Sequence, residues 1–269
     1  MGIADKKFDL LANVILILLC LTCVLPLLLL VTSSVTSEAA LMANGYSFFP
    51  KEISLEAYKY LLTSIKQILQ AYKMTTLVTF TGTTLNITLT MLLAYPLSRP
   101  TLPGRGFFSF MVFFTMLFNG GTIPSYLMWT QTFHIKDTFW ALILPNLMMN
   151  AFGVIVARTY LTTSIPGELL ESSRMDGAGE MRTLVSIVLP LSKPIISTIA
   201  LLSGLAYWND WINGLYYISK RTELYTIQNL LNRMIASADF ISNNAANSAV
   251  AAGVTVPSVG VRMAIAVIA

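Results

Sequence analysis

The residues able to do chemistry are few, and they sit apart. Cys20 and Cys23 form a C-x-x-C inside a long apolar run, with no His, Asp or Glu beside them. Two thiols in that setting read as packing residues rather than a redox or metal pair. His134 is the only histidine, and one imidazole cannot build a metal site or a nucleophile–base triad. The chain holds no G-x-x-x-x-G-K-[ST], so it has no phosphate-cradling loop with which to hydrolyse ATP itself. Two polar strings remain. Residues 168–190, ELLESSRMDGAGEMRTLVSIVLP, interrupt two apolar segments. Tyr207-Trp208-Asn209-Asp210-Trp211 sets an amide and a carboxylate among aromatic rings, with Tyr216 and Tyr217 just beyond. An aromatic belt at a membrane interface explains the rings but not the two polar residues among them.

Composition sets the elements that must position these strings. The 269 residues are 55% apolar and 11% charged, with mean hydropathy +0.68. A soluble domain carries about 25% charged residues, so the chain reads as an all-α polytopic membrane protein. A spanning helix needs about 20 mostly apolar residues. Candidate spans lie at 10–32, 74–97, 107–132, 138–160 and 186–212, and a sixth begins near Val256. From Val256 only 14 residues remain, or about 21 Å of helix against a hydrocarbon core of about 30 Å. The last helix is therefore expected to be truncated. Lys6 and Lys7 precede an apolar run with no small-residue cleavage site, so the first span is expected to be retained. No repeat or linker divides the chain, and 1–269 reads as a single membrane domain with long external loops at 33–73 and 213–255 and a polar loop at 161–185.

Local patterns refine this. In the polar loop, Ser164 can cap a helix whose first turn holds Pro166 and Glu168. Leu169, Leu170 and Ser173 share one side, Glu168, Glu171 and Arg174 recur on another, and Gly177 supplies a left-handed stop. An external helix is expected over 54–70, capped by Ser54, with a packed stripe of Leu55, Tyr58, Leu62, Ile65 and Leu69. Asn119-Gly120-Gly121-Thr122-Ile123-Pro124 should break the third span. Asn146 and Asn150 should lie one turn apart on the fourth, either bridging helices or facing a wet path.

The spacing E-[AS]-[AS]-x3-G-x9-I-x-L-P from Glu171 to Pro190 resembles the cytoplasmic coupling loop of ABC-importer membrane subunits, with Ser172-Ser173 in place of the usual Ala-Ala. The string W-N-[DE]-[FW] at 208–211 resembles the carbohydrate-uptake branch, the group of the maltose importer's smaller membrane subunit. F-F-P-x-x-I-S-L-x-x-Y at 48–58, F-N-G-G-x-I-P-x-Y at 118–126 and D-T-F-W-A-L-I-L-P at 137–145 narrow it to permeases for oligosaccharides of complex polysaccharides, among them the bacterial alginate importer. The resemblance implies the six-helix type I importer fold and a non-catalytic permease. It implies four partners: a related second membrane subunit, two ATPase copies that bind the ATP and Mg, and an external solute-binding protein. Nucleic acid is not among them. It implies a bacterial cytoplasmic membrane location with the N-terminus cytoplasmic. It assigns ATPase coupling to Glu168, Glu171, Ser172, Ser173, Asp176, Gly177 and Ala178, and a sugar path to Asn119, Tyr126, Asn150, Tyr207, Trp208, Asn209 and Trp211.

Lys and Arg counts on the two sides do not decide orientation, so the coupling motif carries it. The external segments hold a small excess of cations over acids, which suits an anionic oligosaccharide such as a uronate and equally a plain solvated surface. Permeation of neutral oligosaccharides stays open. An ion-coupled secondary transporter would need intramembrane carboxylates, and no Asp or Glu lies near the middle of a span.

Overall fold

The computed structural model describes residues 3–50, 52–248 and 259–268, with side chains in all of these but 3–7, 42 and 238–248. Its named elements are all helical; among the described residues the only β-type pairing is an isolated antiparallel bridge between Thr36 and Ile53. The chain divides into two compact units, Met1–Ile68 with Leu230–Ala269, and Leu69–Asn229.

The first helix, α1 (Ile3–Ser34), is strongly apolar from Leu10 onward and carries Pro26 in its interior. It is followed by α2 (Glu38–Asn44), which opens on Ser37, whose hydroxyl accepts the Ala40 N–H, and closes on Gly45 at φ 71°. Next comes α3 (Glu56–Thr63), which breaks at Ser64 and gives way at once to α4 (Ile65–Ser98). The expected external helix at 54–70 is thus two pieces, and the second span starts at Ile65 rather than 74. Ser54 does not cap in the usual way; the N-cap is Leu55. The expected stripe is also the wrong face: Leu55, Leu62 and Leu69 are 55%, 60% and 62% exposed, while Ala57, Leu61, Ile68 and Ala71 are buried. The packed face alternates small and large residues, which lets backbones approach closely, and the bulkier leucines point outward.

The third apolar segment is α5 (Arg105–Leu117), a break at residues 118–121, then α6 (Thr122–Leu127) running on as a wide π turn to Thr132. The two halves meet at 111°. The expected break is present, but 107–132 is not one kinked span; the chain turns through more than a right angle. Gly121, at φ 90°, makes that turn.

The fourth expected span, 138–160, is not a continuous helix. Phe139–Leu142 form a single 3-10 turn, and α7 begins only at Ala151 and runs to Ser164. Pro145 brings no N–H, Asn146 sits at φ 62°, and Asn150 is an extended N-cap whose side chain accepts the Phe152 N–H. Asn146 and Asn150 therefore do not share a helix face.

After α7 come α8 (Gly167–Met175), α9 (Glu180–Thr183) with its π-turn extension Leu184–Val188, and the short α10 (Leu189–Leu191). The fifth span, expected over 186–212, bends by 80° at Ser192 before α11 (Lys193–Trp208). Then follow α12 (Ile212–Tyr217), a 3-10 turn at Thr222–Leu224, α13 (Ile227–Ser248) and α14 (Val259–Ile268). The expected start of the sixth span, Val256, and the end of the 213–255 loop lie outside the described residues. Two helices, Phe8–Ser34 within α1 and α4, are long and apolar enough to cross a membrane, and the two bent pairs raise that to four among the described residues.

In the first unit, α14 is seated by Glu38, whose carboxylate accepts the Val259 and Gly260 N–H groups at 2.9 Å each. That satisfies two of the four donors a helix start leaves open. In the second unit, one apolar cluster gathers Met91, Ala94, Val154, Ala157, Leu184 and Val188 around α7. Another joins Val78, Ala141, Leu142, Ile143, Tyr207 and Tyr217.

Helices α4 and α11 approach closely at one point in the second unit. A Cβ added to Gly82 would stand 2.5 Å from the Tyr207 ring. Tyr207 is 1% exposed and its hydroxyl donates to the Ile143 carbonyl at 3.1 Å, so the ring has nowhere to retreat. Gly82→Ala should therefore lower stability by about 1–3 kcal/mol, read as a lower melting temperature in detergent, while Tyr207→Phe should cost about 1–3 kcal/mol through the orphaned carbonyl. A Gly82→Ala protein with unchanged melting temperature would show that α4 and α11 are not in register here.

Candidate functional site

The first site is the polar loop. Ser164, expected to cap α8, is instead the last residue of α7; Pro166 occupies the cap position without a side-chain hydrogen bond. Glu168 stands in the first turn of α8, where the helix dipole favours a carboxylate. The far end closes as expected on Gly177, at φ 75°. The Gly177 N–H bonds the Arg174 carbonyl and the Ala178 N–H bonds the Ser173 carbonyl, both at 3.0 Å, which is a Schellman closure. A Cβ on Gly177 would meet nothing within 4 Å, so its requirement for glycine is conformational alone. Glu168, Glu171, Ser172, Asp176 and Gly177 are exposed and Ala178 is half-buried, while Ser173 is buried. The Ser173 hydroxyl shares a hydrogen bond of 2.9 Å with Thr183, so this residue holds the loop closed rather than presenting itself outward.

The loop is tied to the body by residues that the spacing motif does not specify. Arg174 forms an ion pair with Glu180, Nη2 to Oε1 at 2.8 Å. The second Glu180 oxygen accepts the Tyr95 hydroxyl at 2.6 Å, and the Arg99 guanidinium lies 4.3 Å from the centre of the Tyr95 ring. An open cleft of about 490 Å³ runs beside this cluster, walled by Leu92, Pro96, Leu102, Pro103, Met181 and Leu184 as well as the charged groups. Arg174 and Glu180 flank the Gly177 turn, which is the one signal the sequence offered.

The second site collects the aromatic and amide residues. Tyr126 stacks on Tyr217 with centroids 5.7 Å apart, and the Lys136 ammonium donates to the Tyr126 hydroxyl at 3.2 Å. Lys136 is held by its neighbour. The Asp137 backbone turns at φ 56°, and its carboxylate accepts the Ser219 N–H at 2.7 Å, the Lys220 N–H at 2.9 Å and the Ser219 hydroxyl at 3.2 Å. Burial would raise this carboxyl, but the Lys220 and Ser219 donors outweigh it and hold it below the usual range.

The remaining amides serve the backbone. Asn119 accepts the Gly121 N–H at 2.9 Å across the break after α5. Asn150 caps α7 and borders a small cleft of about 90 Å³ with Asn86, Asn146 and Ser203. Tyr207 is a core residue. Trp208 is half-buried and tilted against Tyr72 at 6.5 Å. Asn209 ends α11 and donates to the Leu205 carbonyl, and Trp211 is exposed. Asp210 accepts the Ile212 and Asn213 N–H groups at the start of α12. Among the described residues no cluster of three or more His, Cys, Asp or Glu could hold a metal.

Residues 86–269 match the family model described as "Binding-protein-dependent transport system inner membrane component". The chain is 35% identical to Protein LplC of Bacillus subtilis, over 91% of this chain and 81% of that one. It is 33% identical to the polygalacturonan/rhamnogalacturonan transport system permease protein YtcP of the same organism, over 98% and 90%. Among solved structures it is similar to a bacterial ABC transporter involved in the import of the acidic polysaccharide alginate. That match has a TM-score of 0.79 and 26% identity, and covers 99% of this chain and 93% of that one.

Two outcomes follow from the geometry. Gly177→Val should strain α8 by about 1–2 kcal/mol or more, seen as faster hydrogen exchange at the Gly177 and Ala178 amides; unchanged exchange would remove the left-handed closure. For Asp137 the folded carboxyl lies below its unfolded value of about 3.9, so its clasp is fully present above that value and is lost as pH falls through the lower folded one. Exchange at the Ser219 and Lys220 amides, corrected for the intrinsic pH dependence, should therefore rise as pH falls below about 3.9, and Asp137→Asn should abolish that pH dependence.

Proposed function

Since this chain belongs to the binding-protein-dependent transport system inner membrane components, and is a permease subunit of a carbohydrate ABC importer, we propose that its cargo is an anionic, uronate-bearing oligosaccharide. The chain is a non-catalytic, multi-pass inner-membrane subunit that works with a partner permease, an ATPase and a binding protein.

The cargo reading rests on one local arrangement. The Lys136 ammonium stands at the edge of the stacked Tyr126–Tyr217 pair, 5.9 Å from the Tyr126 centroid. A sugar ring lays its apolar face on an aromatic ring, and a carboxylate at its rim takes the ammonium as a charge-assisted partner. Two relatives support it by their names: the structural neighbour is involved in the import of the acidic polysaccharide alginate, and YtcP is named for polygalacturonan/rhamnogalacturonan transport. Neutral cargo is the competing reading, favoured by similarity to an arabinooligosaccharide permease of Halalkalibacterium halodurans at 26% identity.

In this reading Tyr126, Trp208 and Trp211, with Asn119, Asn150 and Asn209, edge the sugar route, and Tyr207 supports them from the core. The exposed face of α8, with Glu168, Glu171, Ser172, Asp176 and Gly177, docks on one of two ATPase copies, which bind ATP and magnesium. Ser173 and Ala178 shape that face from behind. The N-terminus and the α8 loop are cytoplasmic. The second permease subunit is a homologue, not a copy.

Lys136→Gln in the complete importer should raise the uptake KM for an unsaturated galacturonate or mannuronate trisaccharide about tenfold, the value of one charge-assisted hydrogen bond of about 1.5 kcal/mol. Uptake of a neutral trisaccharide should not change. An equal effect on both, or no uronate uptake by the unaltered importer, would turn the assignment to neutral sugars.

A further inference from the structure

We propose that Tyr95, Glu180 and Arg174 are positioning residues that carry the movement of α8 into α4, and through α4 to the aromatic end of α11. The proposal rests on the importer reading above.

Three elements meet at the Glu180 carboxylate. One oxygen takes the Arg174 guanidinium at the last turn of α8, with Nη2 at 2.8 Å and Nε at 3.2 Å. The other takes the Tyr95 hydroxyl at 2.6 Å, from a residue 85 positions earlier in the chain. Glu180 itself opens α9. Both oxygens are thus occupied by donors fixed on different helices. Apolar packing beside it, with Leu170 and Leu184 against the cluster that holds Tyr95, resists separation but not sliding. A carboxylate gripped from two sides resists both, because hydrogen bonds of this kind weaken steeply with angle and distance. Arg99, one turn beyond Tyr95, lies on its ring and fixes the direction in which the hydroxyl points.

The receiving element is suited to transmit. Helix α4 is 34 residues long, about 50 Å. From Tyr95 to Gly82 is about 20 Å of unbroken helix at 1.5 Å per residue. At Gly82 the backbone lies against the Tyr207 ring with no space for a single extra carbon. Tyr207 is in the last turn of α11, one residue before Trp208, and its hydroxyl holds the Ile143 carbonyl. A push delivered at Tyr95 therefore reaches the aromatic string with no compressible gap between. Each contact in this chain is made by a different kind of force: an ion pair, a short hydrogen bond, a rigid helix and a hard steric stop.

The test uses the whole importer in liposomes, with its binding protein and an unsaturated uronate trisaccharide as probe. Two quantities are read: ATP hydrolysed per sugar imported, and the stimulation of ATPase activity by loaded binding protein. Tyr95→Phe removes one hydroxyl and nothing else. Glu180→Gln keeps an acceptor for Tyr95 but weakens the hold on Arg174. Both should raise the ATP used per sugar at least threefold and flatten stimulation to a similar degree, with subunit assembly and melting temperature unchanged. An unaltered ATP-to-sugar ratio in both variants overturns the proposal. So does a fall in uptake that only tracks lost assembly, since that is what a purely structural bond would give. If the unaltered importer fails to move the uronate but moves a neutral trisaccharide, the cargo reading fails by itself, and the same two ratios measured on the neutral sugar still decide the link.

Discussion

A backbone carbonyl or amide released from a helix inside a low-dielectric slab must find a partner, and much of this protein is arranged around that need. The stretch 143–147 is the clearest case. Its carbonyls face no helical donor, and three side chains from elsewhere supply the bonds: Tyr207 to Ile143, Asn213 to Pro145 and Asn86 to Leu147. Asn119, Asn150 and Asp210 do the same for freed N–H groups at the other breaks. The short amides and phenols of an otherwise apolar chain are thus the splints of its broken helices. Their positions set where the chain can turn, and the turns set where the aromatic faces stand.

This division of labour separates the two functional regions. At the α8 loop, Arg174 and Glu180 are spent on one another and on a neighbouring helix, and the outward face is left to Glu168, Glu171, Asp176 and Ser172. At the Tyr126–Tyr217 pair the polar groups form a small clasp between loops, with Asp137 tying residues 219 and 220. The first arrangement is built to be pushed as a unit. The second holds an exposed cation at the rim of an aromatic pair whose inner member, Tyr217, is buried.

Composition alone carries the helical membrane class, and the motif spacing carries the family, the loop helix and its left-handed glycine. Those signals are local and periodic, so one chain suffices to read them. Span boundaries were less legible, because counting apolar residues does not weigh Pro145, Asn146 and Ser192 as breakers. Asn150 and Tyr207 read as route residues, and the structure also gives each a backbone partner, Asn150 as a cap and Tyr207 as a core hydrogen-bond donor; nothing in their spacing distinguishes an amide that meets a ligand from one that meets a backbone. The packed face of α3 and α4 was missed for a similar reason. Hydrophobicity marks Leu55, Leu62 and Leu69, but the close packing falls to the face of Ala57, Leu61, Ile68 and Ala71, where small residues let neighbours approach. The Tyr95–Glu180 bond spans 85 positions, a distance over which a single sequence carries no periodic signal at all.

The splinting of residues 143–147 also bears on how the protein is made. The side chains that satisfy Ile143 and Pro145 lie 64 and 68 positions downstream. A ribosome adds about 5–20 residues per second, so these carbonyls emerge several seconds before their partners exist. The bonds that fix Ile143 and Pro145 can close only after α11 and α12 have left the ribosome.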